Sequence, residues 1–164
     1  MSIERKAPDR NLQRKSAARL YAVQALFQME AAGSPVDKVT REFETHRFGE
    51  VFDGDEMAEG HVDLFRKITL EAVNRQALID QMTDRALVAK WKIDRIDPTL
   101  RALFRAAGAE LVATDTPPRV IITEYVDIAE AFFPEGRERA FVNAVLDHMA
   151  REAKPQAFGI ADPS

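Results

Sequence analysis

Arg10-Asn-Leu-Gln-Arg14-Lys15-Ser-Ala-Ala-Arg19-Leu20-Tyr-Ala-Val-Gln-Ala-Leu-Phe27 joins a basic opening directly to an apolar helical pattern. At about 100° per residue, Leu12, Leu20, Val23 and Phe27 share an arc roughly 200–280° from Arg10. Arg10, Arg14, Lys15 and Arg19 fall between about 0° and 180°. The spacing predicts a helix over 10–31 that buries one side and offers charge on the other. Asp9 suits its N-cap and Gly33 its C-terminal end.

The same signals recur outward from this stretch. Ser34-Pro35 opens a second helix, with Val36, Val39 and Phe43 on its apolar side. Residues 49–60 read as an acidic, glycine-containing loop. Val62, Phe65, Ile68, Ala72 and Val73, then Ile79 and Met82, mark one long helix or a broken pair. Residues 91–96 form a connector, and Asp97-Pro98 opens another helix with Leu100, Leu103, Phe104, Ala107 and Leu111 on its face. Val120-Ile-Ile-Thr123 alone suits a buried strand. However, Ile121, Tyr125, Ile128 and Phe132 keep helical spacing for three turns, so the expectation after Thr116-Pro-Pro118 is helix. Pro134-Glu-Gly136 makes a turn before a last helix over about 137–152, which buries Phe141, Val142, Val145, Leu146 and Met149. The pattern is all-α: a helical bundle of two small packed subdomains, about 9–90 and 91–153, with a loose tail over 154–164.

Composition narrows the chemistry. A 164-residue chain with 46% hydrophobic residues can bury a substantial core. Cysteine is absent, which removes disulfides, a thiol nucleophile and thiolate metal ligands. No apolar run approaches the ~18–20 residues of a membrane span. The opening residues also lack an apolar signal segment, so the expected location is the cytoplasm. His46, His61 and His148 have no partner at metal-ligand spacing and read as surface or boundary histidines. Asp53, Asp55, Glu56 and Glu59 lack the spacing of an EF-hand, and Glu124 with Asp127 reads as a solvated face or cap. There is no glycine-rich phosphate loop. No catalytic set assembles, and no metal or cofactor is expected.

Charge is where the sequence points to a partner. The formal net charge is −4, yet residues 1–19 hold six basic residues against two acidic ones. Arg10/Arg14 and Lys15/Arg19 are like-charge pairs at i,i+4, which cost an isolated helix a few tenths of a kcal/mol each. Two accounts fit this face: contact with a polyanion, most simply nucleic acid, or a solvated helix side beside a ragged terminus. Phe141 follows Arg137 and Arg139 in a first helical turn, where a ring can stack on a base or pack inward.

Four blocks, in order, resemble the NusB family. Arg14-Lys-Ser-Ala-Ala-Arg-Leu-Tyr-Ala-Val-Gln-Ala-Leu-Phe27 is similar to its first helix, and Leu100–Leu111 to its central helix. Pro118–Ala129 resembles its Pro-x-x-Val-x-Ile-Asn-Glu segment, with Thr123 in place of the Asn. Phe141-Val-Asn-Ala-Val-Leu-Asp147 resembles its Phe-Val-Asn-Gly-Val-Leu-Asp segment, with Ala144 in place of the Gly and Ala140 where a basic residue often precedes the Phe. The resemblance implies a non-enzymatic transcription antitermination factor. It would bind boxA-type single-stranded RNA of ribosomal RNA leaders together with the ribosomal protein NusE, within an RNA polymerase complex. It implies RNA contacts at Arg14, Lys15, Arg19 and Phe141, to which the charge pattern adds Arg10 and Arg139. It also places Phe27 near the NusE contact. The alternative is a helical interaction module or homodimer with no RNA role. A NusB-like domain also opens a family of ribosomal RNA cytosine methyltransferases, whose cysteine nucleophile this sequence lacks.

Overall fold

The computed structural model describes residues 10–46, 59–87 and 93–160. Asp9, the acidic loop up to residue 58 and Trp91 lie outside the described residues, as do the side chains of Arg10 and Glu59. The chain forms seven described helices: α1 (Arg10–Ala32), α2 (Val36–His46), α3 (Glu59–Asn74), α4 (Gln76–Ala86), α5 (Pro98–Ala113), α6 (Pro118–Phe132) and α7 (Arg137–Ala153). Short 3₁₀ turns span Ile93–Arg95 and Pro155–Phe158. No strand occurs among the described residues.

The punctuation residues act as their chemistry dictates. Gly33 ends α1 at φ 65°, and Gly136 precedes α7 at φ 87°, both in the left-handed region where a Cβ is strained. Asp97 caps α5, its Oδ1 accepting from Thr99 N at 2.7 Å, and Pro98 occupies the first helical position. The long apolar pattern over 62–82 is a broken pair, with the break at Arg75. Residues 120–123 are helical within α6, so tertiary packing overrides their local strand preference.

Helix α5 is the hub. It packs against α1 and α3, and also against α4, α6 and α7. A Cβ at Gly108 would collide with Ile79 Cγ2 of α4 and sit 3.3 Å from Met149 Cε of α7, so this glycine allows both helices to close on α5. Helix α4 makes its main contacts with α5 and α7. Within the segment expected to be loose over 154–164, the residues after α7 pack back on the bundle through Phe158. Lys154 Nζ donates to the carbonyls of Thr114 and Thr116 at 2.6 and 3.3 Å, and the Arg151 guanidinium lies 4.6 Å from the Phe158 ring centre.

The buried stripe of α1 differs from the arc drawn through its large apolar residues. Ala18, Tyr21, Ala22, Val23, Ala25 and Leu26 are buried. Leu12 is 55% exposed and Phe27 40% exposed. Small alanines let α1 approach its neighbours closely, whereas the bulky residues at the edge of that stripe stay outside. Phe132 keeps helical spacing with the core residues of α6, yet it is 36% exposed, because it lies in the last turn beside the groove described below. His61 is buried, against the expectation of a surface or boundary position.

Candidate nucleic-acid interface

The charged opening of α1 divides into residues that bind inward and residues that remain free. Arg19 binds inward. Its position at the edge of the polar arc carries it under α5, where it is 3% exposed. Its Nε donates to both Glu110 carboxylate oxygens at 2.8 and 3.1 Å, and its Nη2 donates to Oε2 at 2.8 Å. The Tyr125 hydroxyl donates to Glu110 Oε1 at 3.1 Å, and Arg19 Nη1 lies 3.4 Å from Glu124 Oε1. Ser16 Oγ lies 2.8 and 3.0 Å from the two oxygens of Glu124. One polar network thus ties α1, α5 and α6 together.

Burial alone would lower the Arg19 pKa, but its hydrogen bonds and charge pairing with Glu110 outweigh that, so its pKa is raised. Burial, reinforced by the Glu110 charge, pushes the Tyr125 hydroxyl well above its ordinary value. The solvated placement expected for Arg19 is therefore corrected: its guanidinium is occupied by Glu110 and Glu124. Glu124 is likewise a half-buried clamp on α1 rather than a solvated carboxylate. Glu110 carries a sequence signal that was available: a lone carboxylate at core spacing among Leu103, Ala107 and Leu111 needs a buried cation.

Arg14 and Lys15 are half-buried and pair with no carboxylate among the described residues. Arg119 in the first turn of α6 and Arg137 at the start of α7 are exposed and equally unpaired, and the sequence reading did not select either as a site. Arg139 is exposed and sits 3.1 Å from Glu130. Phe141 is half-buried, its ring edge-on to Phe104 with centres 6.2 Å apart, so it is anchored in the core with part of its surface outside. A cleft of about 360 Å³ runs between α6 and α7, lined by Thr123, Asp127, Arg139 and Asn143 among others. Glu124, next to Thr123, holds Ser16. The basic end of α1 and the start of α7 therefore flank one stretch of α6.

The far end of α1 has the opposite character. Phe27 and Phe132 border a groove of about 480 Å³ between α1, α2, the start of α5 and the end of α6. Gln24, Phe43 and Thr99 also line it. From Arg14 to Phe27 the helix rises about 20 Å. Among the described residues no cluster of three His, Asp or Glu side chains is arranged to hold a metal, and no helix is long and apolar enough to cross a membrane.

Comparison with known proteins shows the family and the fold. The NusB family model matches residues 16–151. The transcription antitermination protein NusB of Maricaulis maris (strain MCS10) is 44% identical over 159 residues, 96% of this chain and 99% of that protein. T. maritima NusB superposes with a TM-score of 0.72 at 26% identity, covering 89% of this chain and 97% of that structure. NusB from a crystal structure of antitermination factors NusB and NusE in complex with double-stranded RNA superposes with a TM-score of 0.70. At 21% identity, over 86% of this chain and 98% of that one, this match speaks to the fold alone.

Proposed function

The chain belongs to the NusB family, and we propose that it works as a transcription antitermination factor by holding two partners on α1 and its neighbours. One partner is boxA-type single-stranded RNA from ribosomal RNA leaders; the other is the ribosomal protein NusE. The pair then joins an RNA polymerase complex that transcribes ribosomal RNA operons. The observation that carries this reading is the division of α1. Arg14 and Lys15 are free cations at its start, and an apolar groove bordered by Phe27 opens about 20 Å away.

RNA capture is electrostatic. Arg10, Arg14 and Lys15 neutralise phosphates from α1, and Arg139 contributes from α7 after releasing Glu130, whose exposed pairing is weak. The outer edge of Phe141 offers a surface for a base, while its inner edge stays on Phe104. Phe27 takes the protein partner. The bond network behind α1 contributes rigidity: Arg19, Glu110 and Ser16–Glu124 keep both partner faces on one fixed helix.

A titration tests this. RNA carrying boxA should bind the chain more tightly than a scrambled RNA of equal length. Adding NusE should tighten RNA binding, and linkage requires RNA to tighten NusE binding equally, with typical couplings of ~1–3 kcal/mol. Equal affinities for both RNAs, with and without NusE, would remove the proposal.

A further inference from the structure

The cleft between α6 and α7 holds two polar side chains that the fold leaves unused. Thr123, Val126 and Asp127 line it from α6, and Arg139, Ala140 and Asn143 from α7. Asp127 and Asn143 are exposed, and neither side chain makes a hydrogen bond or ion pair among the described residues. The other polar walls are engaged. The Thr123 hydroxyl donates to the Arg119 carbonyl at 2.9 Å, and Arg139 holds Glu130 at 3.1 Å. Asp127 is thus an open carboxylate in basic surroundings. Arg139 shares its cleft, Arg119 lies about two turns away on α6, and Arg137 starts α7. Arg14 and Lys15 stand on the helix that Glu124 holds through Ser16. A carboxylate accepts hydrogen bonds and donates none. It repels the phosphates that those cations attract, so a strand laid along them must turn a donor-bearing group toward it. At about 360 Å³ the cleft has the size of a small-molecule site.

We propose that this cleft reads a guanine base of the bound RNA, the two Asp127 oxygens accepting from guanine N1–H and N2–H while the Asn143 amide donates to O6. This rests on the reading of the chain as a binder of single-stranded RNA and adds which base it selects. The choice follows from the Watson–Crick edge, which an unpaired base turns outward. Guanine alone sets two donors side by side there, the arrangement that a carboxylate accepts as a pair. Adenine and cytosine each present one amino group beside a ring-nitrogen acceptor, and uracil presents one N–H between two carbonyls. Each of these sets an acceptor against an Asp127 oxygen. Asn143 carries both a donor and an acceptor and suits any base, so the selection lies with Asp127. The surrounding cations hold phosphates of whatever sequence. Asp127 weakens every RNA that cannot pair with it, and this repulsive element turns capture into selection.

The test titrates the full chain, at low salt, into fluorescently labelled short oligouridylates that carry one central guest: guanosine, inosine, adenosine, cytidine or a further uridine. A boxA-type RNA serves as the reference. The guanosine guest should bind about tenfold more tightly than the uridine host. Inosine keeps N1–H and O6 but lacks the N2 amino group, and should lose most of that gain. Asp127→Asn keeps the shape but turns one acceptor into a donor. It should bring the guanosine guest down to the level of the host. Affinity for the host itself should hold or rise, because a negative charge is gone, and the Tm should not move. A guanosine preference that survives Asp127→Asn overturns the readout. So does a chain that binds the reference RNA yet ranks the guests equally or favours another base; both results leave RNA binding intact. No binding to the reference or to any guest overturns the reading of the chain as an RNA binder, and the guanine readout with it.

Discussion

Two neighbouring stretches of α1 handle polar groups in opposite ways. In the first, a full charge is buried and saturated: Arg19 meets Glu110 through three hydrogen bonds, with Glu124 3.4 Å away and Tyr125 on the same carboxylate. Just over one turn further on, a neutral carbonyl is buried and left alone at Gln24, in the stretch that leads to the exposed Phe27 ring. An ion cannot be abandoned in the interior, because its desolvation penalty is several kcal/mol, whereas an unpaired amide is tolerable at about 1–3 kcal/mol. The charged stretch is therefore closed, and Arg14 and Lys15, which pair with no carboxylate among the described residues, remain for a polyanion. The neutral stretch stays open to a protein. One helix serves two chemistries because its buried charge is spent on the fold.

Breaking the closed stretch should give the largest effect. Glu110→Ala strands Arg19 in the core beside a half-buried Glu124. Stability should fall by about 3–5 kcal/mol, read from urea unfolding. Replacing the pair together, Arg19→Met with Glu110→Leu, should recover much of that loss, since similar volumes without charge carry no desolvation penalty. If Glu110→Ala unfolds at the native urea concentration, the network does not hold α1.

Phe141 extends the comparison to α7, where one ring is asked to face both ways. Phe141→Ala should cost about 2–3 kcal/mol of stability, less than a fully buried phenylalanine because the ring is half-exposed. RNA affinity, measured on the folded fraction, should also drop. A stability loss with native RNA affinity would assign the ring wholly to Phe104 and the core.

The free cations come next. Arg14→Ala with Lys15→Ala should weaken RNA binding by roughly tenfold at moderate salt. It should also flatten the log–log salt dependence by about 1.4, given about 0.7 per phosphate contact on a single strand. Adding Arg19→Ala should change stability far more than the slope, because Arg19 faces Glu110. A triple variant that flattens the slope by a further ~0.7 while remaining folded would return Arg19 to the RNA face.

These differences also explain what was legible in the chain. The second half was readable because large residues at helical spacing (Leu103, Phe104, Leu111, Val142, Leu146) are the ones buried, and Asp97-Pro98, Pro117-Pro118 and Gly136 mark its boundaries. In α1 the same rule misled. A wheel weighted by bulk selects Leu12 and Phe27, whereas the helix packs through Ala18, Ala22 and Ala25, whose small size permits close contact. Burial of Arg19 was hidden because its partner lies 91 residues away: the lone carboxylate at core spacing on α5 signals a buried cation but not which one. The unpaired Gln24 carbonyl has no sequence signature at all: it depends on which neighbours α2, α5 and α6 bring to the groove.

The smallest effect probes the closed stretch without opening it. Tyr125→Phe removes one hydrogen bond to Glu110 but leaves the three from Arg19, so at neutral pH it should cost only about 1 kcal/mol. The informative quantity is how that difference changes with pH. In the folded chain the Tyr125 hydroxyl has a pKa raised well above 10.0, first by burial and then by the Glu110 charge. In the unfolded chain it ionises near 10. The folded state thus holds its proton where the unfolded state gives it up. The stability linked to Tyr125 is complete below pH ~10 and is lost as pH climbs toward the raised folded value. Other alkaline titrations act on both proteins alike, so the difference between their Tm–pH curves isolates this residue. The native chain should lead by a constant margin from pH 7 to about 9.5, and the margin should shrink above pH 10. A margin that stays flat to pH 11 would mean that Tyr125 ionises as readily folded as unfolded, which a hydroxyl sealed against a buried carboxylate cannot do.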